Sequence, residues 1–278
     1  MKTANKVAFI GAGNMAGALI QGLLAEKVYR PEQVMASDPR AQRLEELHNT
    51  YGIQTTQDNR QAASYGDLVI LSTKPQVLVA LLPEIASSIR RESLVLSIAA
   101  GIPLAVIESQ LGKEARVIRA MPNTPALVGA GATGLAAGSR ATAEDLGSAE
   151  RVFASVGVTV TVPENLLDAV TGLSGSGPAY VFVVVETLAD AGVEMGLSRP
   201  QALSLAVQTV LGSAKLMKQT GEHPARLKDQ VTSPGGTTIA GLQALEAGGI
   251  RKALADAVRA ATRRARELGE QATSKVSK

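Results

Sequence analysis

The chain has no cysteine and no tryptophan among its 278 residues, and only two histidines. Without cysteine there is no disulfide, no thiolate nucleophile and no zinc–thiolate centre, though this alone fixes no compartment. His48 falls in the polar segment Leu44–Asn49, read as an exposed helix end, and His223 stands before Pro224 in a loop. Both read as surface imidazoles, so a Ser-His-Asp triad and a histidine-based metal site lose their main ingredient. No metal is expected. Aromatic residues make up 3% of the chain, too few for a stacking platform on single-stranded nucleic acid. The net charge of +3 is small for this length. Its one basic cluster, Arg259, Arg263, Arg264 and Arg266, lies on an alanine-rich amphipathic pattern near Glu267 and Glu270, as on a solvated helix face. Nucleic acid is therefore not an expected partner. No apolar run approaches about 18 residues, so no membrane span is expected. Met1–Lys6 leads into a strand without a signal-peptide layout, and cytoplasmic is the expectation.

What the chain does have is glycine in informative places, within a globular composition long enough for one or two domains. Lys6–Ile10 is an apolar run, and Gly11-Ala12-Gly13-Asn14-Met15-Ala16-Gly17 then opens into an apolar helical pattern. Strand, glycine-rich turn and helix form the context that a GxGxxG/A match requires. Gly11 would make the tight turn, Gly13 would let backbone approach a pyrophosphate, and Ala16 or Gly17 would let helix and strand pack closely. A second strand, Gln33–Ser37, ends at Asp38, about twenty residues past Gly17, where an acidic residue takes the ribose hydroxyls of NAD. Ser37, Arg40 and Arg43 stand around it, and serine with arginine suits the 2′-phosphate of NADP. The two signals point to different cofactors. The plainer reading of the arginines is a surface helix start, with Asp38 as N-cap and Pro39 at the first helical position.

Further strands are expected at Asp67–Thr73, which breaks at Lys74-Pro75, and at Leu94–Ala100, Arg116–Ala120, Gly131–Ala136 and Val158–Val162, with helical patterns between most of them. That alternation predicts a mostly parallel, doubly wound sheet, whose ligands sit off the carboxyl ends of the strands. Gly11–Met15, Ser37-Asp38, Ser72–Pro75, Ala99-Ala100 and Asn123-Thr124 should then line one crevice. After Pro163 the strand signal stops. Glu164–Gly172, Tyr180–Met195, Pro200–Gln219, Pro224–Val231, Thr238–Glu246 and Ile250–Gln271 read as helices. The expected fold is α/β: a Rossmann-like doubly wound sheet over residues 1–163, followed by an all-α dimerisation domain over 164–278.

Tyr180–Leu188 is so apolar that its helix should be buried nearly all round. A helical region of this size cannot cover it alone, so partner chains are its expected cover. Leu173–Ala179 interrupts the pattern with small residues and a proline. It is either a kink that lets helices approach closely or a surface against which nicotinamide and substrate pack. Ser233-Pro234-Gly235-Gly236-Thr237-Thr238 reads as a tight loop delivering the chain into a helix start, with Thr237 or Thr238 near the cap. A helix start offers unpaired N–H groups and partial positive charge, so a small carboxylate is a natural guest beside a threonine hydroxyl. The plainer reading is an ordinary capped helix.

Taken together, Phe9–Met15, Lys74-Pro75-Gln76, Met121–Pro125, Gly172–Tyr180 and Val231–Thr238 resemble the pyrroline-5-carboxylate reductase family over essentially the whole chain. The Gly172–Tyr180 and Val231–Thr238 stretches are the most specific. The resemblance implies hydride transfer from a reduced nicotinamide dinucleotide to C5 of 1-pyrroline-5-carboxylate, giving L-proline. It implies that Ser233, Gly235, Gly236, Thr237 and Thr238, with Ser176, hold the substrate, and that the Thr238 hydroxyl serves the ring nitrogen as the catalytic group. Cofactor contacts are implied at Ile10, Gly11, Ala12, Gly13, Asn14, Met15, Ser37, Arg40, Asn59, Ser72, Thr73, Lys74, Pro75, Ile98, Ala99 and Ala100. The implied cofactor is NADPH, with NADH left open by Asp38. Homodimers or larger rings built through the helical domain are implied as well. Two rivals stand beside it. A β-hydroxyacid dehydrogenase would need a helix-borne lysine, and Gly172–Tyr180 has none. A non-catalytic dinucleotide sensor would have no use for the loop at Ser233–Thr238.

Overall fold

Val7, Ala8, Phe9 and Ile10 form β1 (Val7–Ile10), and none of the four keeps any solvent exposure. A strand covered on both faces reads as a continuous apolar run, because the helices of a parallel sheet lie on either side of it. The computed structural model describes residues 5–276. The leader reading placed on Met1–Ala4 thus lies outside the described residues. Three further strands follow the β1 pattern and are buried throughout: β2 (Val34–Ser37), β4 (Leu68–Leu71) and β5 (Leu94–Ser97). Between the first two runs β3 (Gln54–Thr56), whose polar Gln-Thr-Thr carries no strand signal and lies half-exposed at the sheet edge. The sheet is completed by β6 (Arg116–Met121), β7 (Gly131–Ala137) and β8 (Gly157–Thr161).

Among the described residues the eight strands follow the order β3-β2-β1-β4-β5-β6-β7-β8. Neighbours run parallel except β6 and β7, which are joined by a 3₁₀ turn at Thr124–Val128 and pair antiparallel. Strand order reverses direction between β1 and β4, so the loops after these strands part there and leave a crevice. This is a doubly wound sheet of the Rossmann type. One face packs on α1 (Asn14–Ala25) and α6 (Ala143–Ala154) through Leu19, Ile20, Leu23, Val152 and Phe153. The other packs on α4 (Pro75–Ala86) and α5 (Leu104–Leu111) through Leu78, Leu82, Ile85 and Ile107. Each such fully buried side chain contributes at most about 1.5–3 kcal/mol relative to exposure, so the sheet stands on its own core.

The chain divides into two compact units: residues up to Ser176 together with Arg259 onward, and Gly177–Val258. Near the end of the first unit the single helix expected over Glu164–Gly172 is instead three short turns. They are a 3₁₀ turn at Glu164–Leu166, the α-turn α7 (Leu167–Val170) and a π-turn at Thr171–Gly175, closed by the Ser176 N–H on the Thr171 carbonyl at 2.8 Å. The buried amide of Asn123 meets the Ser174 carbonyl at 3.0 Å and receives the Ala132 N–H at 2.8 Å, fastening this turn to the end of β6 and the start of β7.

The second unit is helical: α8 (Gly177–Glu194), α9 (Arg199–Thr220), α10 (Pro224–Gln230), α11 (Thr237–Ala247) and the first turns of α12 (Ile250–Val276). Ser198 and Gln201 form a capping box at the start of α9, and Gly221 in the left-handed region ends it. α8 and α9 approach through Ala189, Ala202 and Ala206, small enough that a Cβ on Gly192 would lie 3.0 Å from that of Ala202. The all-round burial expected of Tyr180–Leu188 is not met within one chain. Phe182 is 66% exposed and Val183 60%, because this unit holds no layer that could cover them. Among the described residues no helix is long and apolar enough to cross a membrane.

Candidate active site

At the carboxyl end of β1 the chain turns into α1 through Gly11, whose φ of +98° suits glycine alone. Here a Cβ would lie 2.9 Å from both the Ser72 carbonyl oxygen and Thr73 Cγ2. The turn is that tight because the loop after β4 closes against it: the Ser72 N–H donates to the Ile10 carbonyl at 2.9 Å and its hydroxyl to the Gly11 carbonyl at 2.6 Å. On the other side the Gly11 N–H reaches the Ser37 carbonyl at 2.8 Å, tying the end of β2 to the same loop. Farther along the row the Ile98 N–H meets the Leu71 carbonyl at 3.1 Å, and Ala99 and Ala100 follow. Ile10–Met15, Ser37, Ser72–Pro75 and Ile98–Ala100 are thereby gathered along one row of strand ends. Asn59 joins them from the start of α3 (Asn59–Tyr65), where its side-chain oxygen accepts the Ser37 hydroxyl at 2.8 Å.

This row fits a dinucleotide. Gly13 is the N-cap of α1, with no side-chain cap and no acidic residue in the first turn. The first N–H groups of α1 therefore lack intrahelical partners and, with the positive end of the helix dipole, face the space before the helix start. A Cβ on Gly13 would meet nothing within 4 Å, so the space above the cap is open to a phosphate. Beside Gly11 the buried Thr73 hydroxyl has no hydrogen-bond partner, an unmet group at the lip of the crevice that a bound polar ligand would satisfy.

Asp38 follows β2 and is 5% exposed. It does not cap α2 (Ala41–Tyr51), whose cap residue is Arg40. Instead its carboxylate accepts the Ala12 N–H at 3.0 Å, the Arg40 N–H at 3.0 Å, and the Arg40 guanidinium at 2.8 and 3.0 Å. Burial works against the charged form. The Arg40 guanidinium and the Ala12 and Arg40 N–H groups outweigh it and hold the carboxyl below the ordinary aspartate value. Arg43, whose plainer reading was a surface position, donates from Nε to the Ala12 carbonyl at 2.8 Å and so braces the glycine loop from α2. The spacing of Arg43 from Asp38 carries no sign of that contact, which depends on where α2 lies.

The second group of candidate residues is built differently. Ser233–Gly236 is a turn closed by the Gly236 N–H on the Ser233 carbonyl at 3.1 Å, with Gly235 at φ +64° in its third position. A Cβ on Gly236 would run into the Ser233 hydroxyl. Gly236 itself is the N-cap of α11, again with no side-chain cap and no acidic first turn. Thr237 and Thr238 are therefore the first two helical residues rather than the cap, and no other group among the described residues bonds their hydroxyls. Ser233, Gly235, Gly236, Thr237 and Thr238 belong to the second unit, and Ser176 closes the first segment of the other. His223 caps α10, its ring nitrogen accepting the Ala225 N–H at 3.3 Å, and takes no part in either group. Among the described residues no cluster of side chains could hold a metal ion.

Comparison with known proteins bears on both groups. The family model described as pyrroline-5-carboxylate reductase dimerisation matches residues 164–268. A model described as NADP oxidoreductase, coenzyme F420-dependent, matches residues 6–101. The pyrroline-5-carboxylate reductase of Synechocystis is 50% identical over 266 residues, covering 96% of this chain and 99% of its own. A solved structure of a pyrroline-5-carboxylate reductase from Coxiella burnetii superposes with a TM-score of 0.91 at 39% identity, over 96% of this chain and 99% of that one. The Plasmodium falciparum pyrroline carboxylate reductase, solved with NADP bound, gives a TM-score of 0.85 at 30% identity, over 95% and 98%.

Proposed function

The chain belongs to the pyrroline-5-carboxylate reductase family, and from that premise we propose that it reduces 1-pyrroline-5-carboxylate to L-proline with NADPH. The observation that carries the reading is the second helix start, at Gly236, where an uncapped helix with free threonine hydroxyls meets a glycine turn. The N–H groups of its first turn bind the substrate carboxylate, and the side chains of Ser233 and Thr237 flank it. The Thr238 hydroxyl holds the ring nitrogen through one hydrogen bond. A protonated cyclic imine is already an electrophile, so the site needs no strong acid or base. NADPH bound along the crevice of Gly11–Met15 would supply the hydride to C5. The electron pair of the C=N bond then returns to the nitrogen, which keeps its proton as the secondary amine of proline.

In this reading residues 1–163 serve the dinucleotide and residues 164–278 serve the substrate and assembly, a division of roles rather than of compact units. Assembly is through the helical unit into a homodimer or a larger ring, in which the exposed face of α8 is covered. The experiment is loss of nicotinamide absorbance on adding 1-pyrroline-5-carboxylate, run with NADPH and with NADH. Rapid oxidation of NADPH is expected. No oxidation with either cofactor, from folded oligomeric protein, would overturn the proposal.

A further inference from the structure

Asp38 is an acidic residue at the place where NAD enzymes accept a ribose, yet its oxygens are already taken. Oδ1 receives the Arg40 N–H and Arg40 Nε, and Oδ2 receives the Ala12 N–H and an Arg40 terminal nitrogen. A carboxylate offers about four lone-pair sites, so these four donors leave none for a ribose hydroxyl. The guanidinium is also the lid. Its side chain is 63% exposed, while the Asp38 side chain beneath it is 7% exposed. Two of the five guanidinium N–H groups are spent on Asp38, and among the described residues the other three have no partner and remain available to an anion.

We propose that Asp38 is a ribose acceptor masked by Arg40, and that this single ion pair decides which dinucleotide the chain takes. With Arg40 in place the crevice selects a 2′-phosphorylated dinucleotide, because the arginine presents its free N–H groups and cancels the charge of Asp38. Without the Arg40 side chain, one site opens on each Asp38 oxygen, matching the two hydroxyls of an unphosphorylated ribose. The bare carboxylate would then repel a 2′-phosphate. The Ala12 and Arg40 backbone N–H groups survive that change, so Asp38 stays aimed at the crevice. The proposal rests on the crevice being the dinucleotide site.

Calorimetric titration of the intact oligomer with NADP⁺ and with NAD⁺ tests it without relying on turnover. For Arg40→Ala, NADP⁺ affinity is expected to fall roughly 100-fold, the scale of losing a charged hydrogen-bond partner. NAD⁺ affinity is expected to rise about threefold to tenfold. The NAD⁺ gain should vanish in the double variant Arg40→Ala, Asp38→Asn, because an amide cannot accept on both sides. Equal weakening of both dinucleotides in Arg40→Ala, or an NAD⁺ gain that persists in the double variant, would overturn the proposal. If the double variant does not fold, Arg40→Lys decides. A restored cation over Asp38 should bring the NADP⁺ preference partly back, and an NAD⁺ preference there would count against the mask. Failure of the unaltered chain to bind either dinucleotide would overturn both this inference and the cofactor assignment. Binding of NADP⁺ and NADPH without reduction of the imine would overturn the proposed reaction alone.

Discussion

The two units each present a helix start of the same construction. At α1 a glycine with φ of +98° is followed by a glycine N-cap, and at α11 a glycine with φ of +64° directly precedes one. Both caps are bare and neither first turn carries an acid. Yet the settings differ. The first cradle is seated on strands whose residues are wholly buried, with Ser72, Ser37 and Arg43 bonded to its backbone. The second lies in a unit whose core is three alanines and whose large apolar side chains face outward. Equal chemistry at a helix terminus therefore does not mean equal support. One unit finishes its own core and can hold a site rigidly, while the other requires further apolar surface before its helices are fully buried.

The sharpest way to break that contrast is at the exposed face of α8. Light scattering at micromolar concentration is expected to show a dimer or larger, and Val183→Asp should yield monomers with melted second-unit helices. An unpaired charge in such an interface costs on the order of 3–5 kcal/mol. A clean monomer from the unaltered chain would mean that the helical unit stands unaided. Next comes Thr238→Ala, expected to lower kcat/KM by about 10²–10³, or roughly 3–4 kcal/mol, with the oligomer intact. Kinetics like those of the unaltered chain would remove the hydroxyl from the mechanism.

The two glycines of the first cradle should separate fold from ligand. Gly11→Ala forces a Cβ against the Ser72 carbonyl at positive φ, so a thermal scan should show a loss of about 1–3 kcal/mol. Gly13→Ala meets nothing in the protein and should leave stability alone while weakening NADPH about tenfold, near 1.4 kcal/mol. Equal effects of both substitutions on stability would contradict the open space above the cap.

The gentlest test is alkaline pH on the well-cored unit. Burial, opposed by Arg151 and aided by Asp67, pushes the Tyr29 hydroxyl up to about 12 from 10.0. The folded state then binds this proton more tightly than the unfolded chain, so stability falls as pH rises from about 10 to 12 and is unaffected at neutral pH. Tyr29→Phe should remove that part of the slope in denaturant titrations across this range.

Much of this was legible in order along the chain. The continuous apolar runs at Val7–Ile10 and Leu68–Leu71 mark doubly covered strands because burial on both faces leaves no polar position. β3 escaped because Gln-Thr-Thr at an edge has no apolar face to betray it. The π-turn at Thr171–Gly175 escaped because its distinguishing feature is a backbone bond pattern, fastened by Asn123 from a distant strand end. The roles of Asp38 and Arg40 could be set out as alternatives, but not decided, from their spacing.

The sequence by itself determined the order of a Rossmann-type sheet followed by helices, the glycine-rich helix starts and the absence of cysteine, because these depend on residue type and local period. Only the tertiary structure decided that Asp38 is spent on Ala12 and Arg40, that Arg43 braces the glycine loop, and that α8 stays bare within one chain. Those facts depend on which groups meet in space, some of them across tens of residues, and hydrogen-bond saturation and burial are properties of the meeting rather than of any stretch alone.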